Sequence, residues 1–530
     1  MSRRCCGCWR WAFVLLAVLG TAGAGVPVRA QADADSSGGA QAPAEQGNAA
    51  AEAAQAEADL QLVSALERVV SRAIARAEKS VVSIARRSRS AEYARRDAQP
   101  DLVGLASRRG AAANDPRDPE FVPNEFATGV VVDASGLVLT NAHVIDIESD
   151  HFVTTVDHKV FEMKIKASDP RSDLAVLELK QPRLMSEGDF TPMPFGDASK
   201  LHKGQIVISL GNPYAIARDG QASASWGIIS NLARKAGAQP QMDQMPQTDA
   251  TKMLHHFGTL IQTDAKLNLG TSGGALLNLR GEMIGLTTSL AASVGYELPA
   301  GYAIPVDETF RRVVETLKQG REVEYGLLGI VPQHLHPLDV LKGLHGSLVV
   351  DVRAGDPAAR YGIERGDIVT HVDGQPIHDA DGLRLQVGKL PPAATTTLTI
   401  LRGGQTLQKR VVLSKYPLSL PQIVTYRPPA WRGLRVDYPT VTRNVVPGDI
   451  ADFAELSGFS GVCVAARDVE TGSPAWDAGL RPGTRISHVG ATPVETPEEF
   501  RRAVADKTGP VRLRTIGPRG EAKVIAVPEE

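Results

Sequence analysis

The sequence predicts a mostly β protein, with one large all-β module of short strands followed by two copies of a smaller α+β module. Three observations carry this reading. Short apolar runs recur from Val81 to Val306 between Gly, Pro and Asp turns. A segment near Asp356 returns near Ser473. The chain is 530 residues long and 43% hydrophobic, enough for about three to four globular domains.

In chain order, Arg3, Arg4 and Arg10 precede a short apolar core, Trp11 to Leu19, and Val28-Arg29-Ala30 offers a small-residue cleavage site. Residues 1–30 therefore read as a signal peptide whose core is shorter than the ~20 residues of a membrane-spanning helix. Cys5, Cys6 and Cys8 lie within it, which leaves Cys463 alone in the mature chain and excludes an intramolecular disulfide. The apolar run Val462-Cys463-Val464 reads as buried strand. Residues 31–59 have almost no large apolar side chains and read as a disordered linker. Leu62, Leu66, Val69, Val70 and Ile74 then have helical spacing from Leu60 to Lys79. With 58 Lys and Arg against 60 acids, no charge excess calls for nucleic acid.

The all-β module opens at Val81-Val82-Ser83-Ile84. The Arg-rich, polar stretch Arg86 to Pro123 reads as a solvated loop. Further strands are expected on both sides of the turn Asp133-Ala134-Ser135-Gly136, after Asp173, and at Gln205–Leu210, Trp226–Leu232, Leu260–Thr263, Ala275–Leu277 and Met283–Leu286. Such a density of short strands fits a barrel or a sandwich. Ala236 to His256 is a polar insertion, and His255-His256 reads as a loop pair because no Cys or acid stands at metal-ligand spacing.

The chemistry centres on NLGTSGGALLNLRGEMIGL, Asn268 to Leu286. Ser272 sits on a turn between Gly270 and Gly273-Gly274, where glycines let the backbone bend sharply and bring amides of Gly270, Thr271 and Ser272 near a developing oxyanion. A serine nucleophile needs a base and a carboxylate to orient that base. His143, just past the strand in GVVVDASGLVLTNAHVI, and Asp173, opening the strand in DPRSDLAVLEL, supply the two residue types.

TNAHVI, SDLAVLEL, GNPYAIA, IQTDAKLNLGTSGGALLNLRGEMIGL and GYAIPV together resemble the protease domain of the HtrA, or Deg, family of trypsin-like serine proteases. The resemblance implies a chymotrypsin-like double β-barrel over residues 60–318, with His143 as general base, Asp173 as its orienter and Ser272 as nucleophile. It also places Lys266, with Leu267 beside it, near the specificity pocket; the stretch Thr288 to Leu290, just after the apolar Ile284-Gly285 pair, is a candidate for pairing with substrate backbone. Thr271 stands where the family usually has Asn.

In the C-terminal part, DPAARYGIERGDIVTHVDGQPIHD and SPAWDAGLRPGTRISHVGATPVET align, with Ile368 set against Ile486 after a one-residue allowance. Both resemble PDZ domains, over residues 324–416 and 429–528, with a linker at 417–428. A PDZ domain takes an extended peptide beside an edge strand and holds its carboxylate in a backbone nest. Gly326-Leu327-Leu328-Gly329-Ile330 matches that loop. In Gly433-Leu434-Arg435-Val436, Arg435 stands where glycine is usual.

The activity that the resemblance implies is ATP-independent serine endoproteolysis of unfolded or misfolded proteins in protein quality control outside the cytoplasm, with no cofactor or metal expected. By resemblance, peptide C-termini bind the first PDZ domain and the chain assembles as a trimer-based homo-oligomer. Two other readings are a chaperone or peptide-binding scaffold with little proteolysis, and a membrane-anchored protease cutting one signalling substrate.

Overall fold

A computed structural model describes residues 44–89, 125–212, 220–235, 253–268, 270–288, 300–418, 421–442, 462–517 and 521–529. The chain divides into two units, residues 1–64 and 65–530. In the smaller unit the described part is the start of helix α1 (Ala44–Glu78). Residues 44–59, expected as disordered linker, are helical, because a run of Ala, Glu and Gln combines the best helix formers even without an apolar face. In the larger unit the buried stripe of α1 is Val70, Ala73, Ile74 and Ala77, at i, i+3, i+4 and i+7. Leu66 and Val69, expected on that stripe, are exposed.

The all-β module holds two six-stranded barrels. The first contains β1 (Val81–Ser88), β2 (Glu125–Asp133), β3 (Leu137–Thr140), β4 (Ser149–Thr154), β5 (Val160–Asp169) and β6 (Leu174–Leu179), closed by pairing of β5 with β6. The second contains β7 (Ile206–Gly211), β8 (Ser223–Arg234), β9 (Leu260–Thr263), β10 (Ala275–Leu277), β11 (Met283–Thr288) and β12 (Gly301–Pro305). β10 and β11 are buried along their whole length, which explains continuous apolar runs rather than alternation. Helix α2 (Glu308–Lys318) follows, N-capped by Asp307, whose carboxylate accepts from the Phe310 amide at 2.9 Å. Its Phe310, Val313, Val314 and Leu317 form one buried stripe.

The first C-terminal module contains β13 (Gly326–Leu327), β14 (Ile330–His334), β15 (Ser347–Val352), β16 (Ile368–Val372), β17 (Gln375–Pro376), helix α3 (Ala380–Lys389), β18 (Thr395–Arg402), β19 (Gln405–Val412) and β20 (Ser414–Lys415). β14 lies at one edge of its sheet. The inter-module linker is more ordered than its Pro-rich sequence suggests. Its strand β21 (Ile423–Val424) pairs with β5, setting Ile423 opposite Ser168 and Val424 opposite Ala167.

The second module repeats the first through β22 (Leu434–Asp437), β23 (Val464–Val469), β24 (Arg485–Val489), β25 (Thr492–Pro493), helix α4 (Pro497–Val504), β26 (Val511–Ile516) and β27 (Ala522–Val527). Val369 opposes Ser347, and Ile486 opposes Val464. Val369 is therefore the counterpart of Ile486, and the one-residue allowance disappears. Cys463 lies buried just before β23, where burial pushes its thiol up to about 11, so it is an inert packing residue. Lys415 joins the modules: buried, it contacts Glu322 and Glu324 at 2.8 Å and Asp437 at 3.0 Å. Burial opposes its charge, but these three carboxylates outweigh that cost and raise its pKa.

Candidate active site

His143 lies on a one-turn 3-10 helix, Ala142–Val144, directly after β3. Asp173 opens β6 with a left-handed backbone, φ 55°, a conformation tolerated by Asp more readily than by most side chains. The Asp173 carbonyl accepts from the Ala142 amide at 3.0 Å, joining the two chain segments. The carboxylate of Asp173, 2% exposed, lies 2.9 and 3.0 Å from His143 Nδ1. A carboxylate only accepts, so Nδ1 carries the hydrogen and Nε2 is left as the basic nitrogen. Asp173 Oδ1 also accepts the His143 amide at 3.1 Å. Oδ2 accepts from Asn141 Nδ2 at 3.1 Å and Thr288 Oγ1 at 3.4 Å.

Burial pushes the His143 imidazole down, while the charge and hydrogen bond of Asp173 push it up; the net shift is upward from 6.5. The side chain is 35% exposed, so the ring remains accessible to solvent.

Ser272, 6% exposed, is held from both barrels. From the first barrel, Thr128 donates its amide to the Ser272 carbonyl at 2.9 Å and its hydroxyl to the Gly270 carbonyl at 2.7 Å. From the second, the Gly273 amide donates to the Thr287 carbonyl at 2.9 Å. Thr287 precedes Thr288, whose hydroxyl reaches Asp173. The serine loop and the His-Asp pair thus belong to one connected set of bonds. Three glycines are sterically required here, Gly274 among them, where a Cβ would stand 2.4 Å from the Leu210 carbonyl oxygen. A Cβ at Gly270, φ 94°, would stand 2.5 Å from the Asn212 carbonyl oxygen. One at Gly273 would stand 2.1 Å from the Thr128 carbonyl oxygen and 2.3 Å from Thr140 Oγ1. Thr140 is three residues before His143, so this contact also seats Ser272 beside the His143 segment.

A trypsin-like peptidase domain model matches residues 127–286, and PDZ domain models match 326–413 and 466–516. The periplasmic pH-dependent serine endoprotease DegQ of Escherichia coli K12 is 31% identical over 74% of this chain and 78% of its own. The chain belongs to the HtrA/Deg family. A probable DegP-like periplasmic serine endoprotease of Chlamydia trachomatis is 30% identical, over 72% of this chain and 70% of its own. Among solved structures, the HtrA-type protease AlgW with a tripeptide aligns with TM-score 0.47 at 24% identity, covering 66% of this chain and 97% of that one. This HtrA/Deg chain is a serine endopeptidase with two PDZ domains.

Several residues of this HtrA/Deg protease stand differently from expectation. The Thr271 amide donates to the Asn268 carbonyl at 3.1 Å, and its hydroxyl does so at 2.7 Å, so this amide is engaged within its own turn. Thr288 is buried, pairs with Tyr302 in the β11–β12 ladder, and its hydroxyl bonds Asp173, a role in holding the carboxylate that its sequence position did not suggest. Lys266 is exposed, its carbonyl accepting from Ser225 Oγ at 3.0 Å. Leu267 is half-buried against Gly301, and Leu290 lies outside the described residues. His255 and His256 belong to a 3-10 turn, Leu254–Phe257, rather than a loop, and His255 is buried. Sequence reasoning passed over Asn141 and Thr128. The signal for Asn141 was an amide two residues before His143; Thr128 offered none beyond a hydroxyl in an apolar strand.

The two PDZ loops also align differently. Gly329 and Gly433 are both left-handed, at φ 84° and 80°, and a Cβ on either would strike the equivalent residue, Asp356 or Ser473. Their carbonyls accept from Arg353 and Glu470 at 2.9 Å. Gly433 is thus the counterpart of Gly329, Arg435 corresponds to Val331, and no glycine is replaced. The difference lies earlier. Trp431 and Leu434 exchange amide-to-carbonyl bonds of 2.9 and 2.8 Å, closing the second loop as a tight hairpin, whereas Leu327 pairs outward with Ser414.

Proposed function

We propose that this protein is an exported, ATP-independent endopeptidase that cleaves unfolded proteins through His143, Asp173 and Ser272, with the first PDZ domain holding free peptide C-termini. The observation that carries the reading is the buried Asp173 carboxylate against His143 Nδ1, bonded into the same network as the Ser272 loop. The periplasmic names of the relatives and the leader-like residues 1–30 support export. Among the described residues no helix is long and apolar enough to cross a membrane.

In the proposed reaction Ser272 Oγ attacks the scissile carbonyl carbon as His143 Nε2 takes its proton. The Gly270 and Ser272 amides receive the oxyanion, and the engaged Thr271 amide is not needed. The C–N bond then breaks as His143 protonates the leaving amine, and water repeats the sequence on the acyl-enzyme. By the family resemblance, Lys266, Leu267 and Leu290 tune substrate preference. Subunits assemble as trimers.

The His143 shift fixes the sign of the pH dependence. Only neutral imidazole is a base, so kcat/KM rises with pH through an inflection above 6.5 and levels off beyond it. Stability runs oppositely: a raised folded pKa favours the native state fully below about 6.5 and loses that contribution as pH rises through the folded value. A pH profile of peptide cleavage checks this; an inflection at or below the ordinary imidazole value contradicts it.

Peptide binding is expected at one site per chain. The hairpin in the second PDZ loop already uses the Leu434 amide, so titration of a labelled peptide with a free hydrophobic C-terminus should saturate at a 1:1 ratio. Amidating that terminus should weaken binding about tenfold or more, because charged hydrogen bonds are lost. Two equivalent sites per chain would refute the assignment.

A further inference from the structure

The loop that delivers Asp173 is held by segments from outside both barrels. It runs Asp169-Pro170-Arg171-Ser172-Asp173, between β5 and β6. Asp169 is fully buried, and its Oδ2 accepts the Ser172 amide at 3.1 Å, the Ser172 hydroxyl at 2.5 Å and the Tyr325 hydroxyl. Its Oδ1 accepts Gln422 Nε2 at 2.8 Å. Tyr325 belongs to the strap entering the first PDZ domain, and Gln422 to the linker leaving it. Gln422 also ties these two strands of chain together, accepting the Val323 amide at 3.1 Å and donating to its carbonyl at 2.9 Å.

Arg171 is gripped by the same two segments. It is 3% exposed, and its guanidinium carbon lies 4.1 Å from the Tyr416 ring centre and 5.2 Å from that of Tyr325. Among the described residues its Nε and Nη1 have no hydrogen-bond partner, and the two aromatic faces together with the nearby Asp169 carboxylate offset its buried charge. A Cβ at Gly388 of α3 would stand 3.2 Å from Arg171 Nη2, so the first PDZ domain's long helix abuts the clamp. On the far side, His255 Nε2 donates to the Ser172 carbonyl at 2.8 Å, one residue before Asp173.

We propose that Tyr325 and Gln422 are positioning residues for proteolysis: through Asp169 they fix the loop that aims Asp173 at His143. The catalytic carboxylate is therefore completed by the chain segments that bracket the first PDZ domain. Four bonds on one buried carboxylate define a single loop geometry, and the left-handed Asp173 has no slack to recover its aim if that geometry relaxes. The inference rests on the triad reading above.

The test compares full-length wild type, Tyr325→Phe and Gln422→Leu, with Ser272→Ala alongside. Tyr325→Phe removes one hydroxyl and keeps the ring under Arg171; Gln422→Leu acts from the opposite segment. In both, kcat for a peptide substrate is expected to fall about tenfold with KM within twofold, and the pH inflection to move down toward the ordinary imidazole value as Asp173 loses its aim. Unchanged kcat and inflection in either folded variant, with Ser272→Ala inactive, overturn the positioning role and leave the triad standing. Activity retained in Ser272→Ala overturns both, and the control tells the two failures apart.

Discussion

Ser272→Ala is expected to lower kcat/KM for an unfolded protein by roughly a million-fold, the scale seen when a protease loses its nucleophile, while the chain still folds and binds peptide. The side chain removed is one hydroxyl. The turn around it is held by backbone bonds, from Thr128 to the Ser272 carbonyl and from Gly273 to Thr287, which alanine keeps. Initial-rate measurements on wild type and variant, with circular dichroism of both, check the outcome. A loss of fold, or a loss of only a few-fold in rate, would contradict the assignment of Ser272.

Asp173→Asn should lower kcat by about ten-thousand-fold with little change in size or fold. Asparagine presents an amide NH₂ to His143, favouring a tautomer with the hydrogen on Nε2, where the ring can no longer accept the serine proton. It also takes away one acceptor from a set that serves His143 Nδ1, the His143 amide, Asn141 and Thr288. The variant's residual rate should lose the upward displacement of the His143 inflection, because charge and hydrogen bond both come from Asp173. Retained kcat would mean that another group orients the imidazole.

Much of this architecture was legible because local signals and tertiary demands agree. β9 and β10 occupy the residues that their apolar runs predict, and Ser272 lies on a turn whose glycines are each forced by a carbonyl oxygen within 2.5 Å of where a Cβ would stand. What escaped depends on partners far along the chain. β21 is a two-residue strand in a Pro-rich stretch, too short for any alternation, and Gln422 meets Asp169 across 253 residues. Thr288 reads as a candidate for pairing with substrate backbone from its place after the apolar Met283–Leu286 run, while its hydroxyl bond to Asp173 depends on a residue far back in the chain. The helix start at Ala44 was missed because helix propensity, rather than an apolar stripe, builds that end. In the second PDZ domain, sequence matching keyed on the wrong glycine, whereas the contacts of Gly433 with Ser473 fix its equivalence.

The most direct measurement of the central claim is active-site labelling. Full-length protein is treated with diisopropyl fluorophosphate, digested with trypsin, and the adduct is located by mass spectrometry in wild type, His143→Ala and Asp173→Asn. One phosphoryl adduct on Ser272 is expected in wild type, formed far more slowly in both variants, with loss of proteolysis proportional to labelling. An adduct at another residue, or labelling of Ser272 that proceeds equally fast without His143, would contradict it.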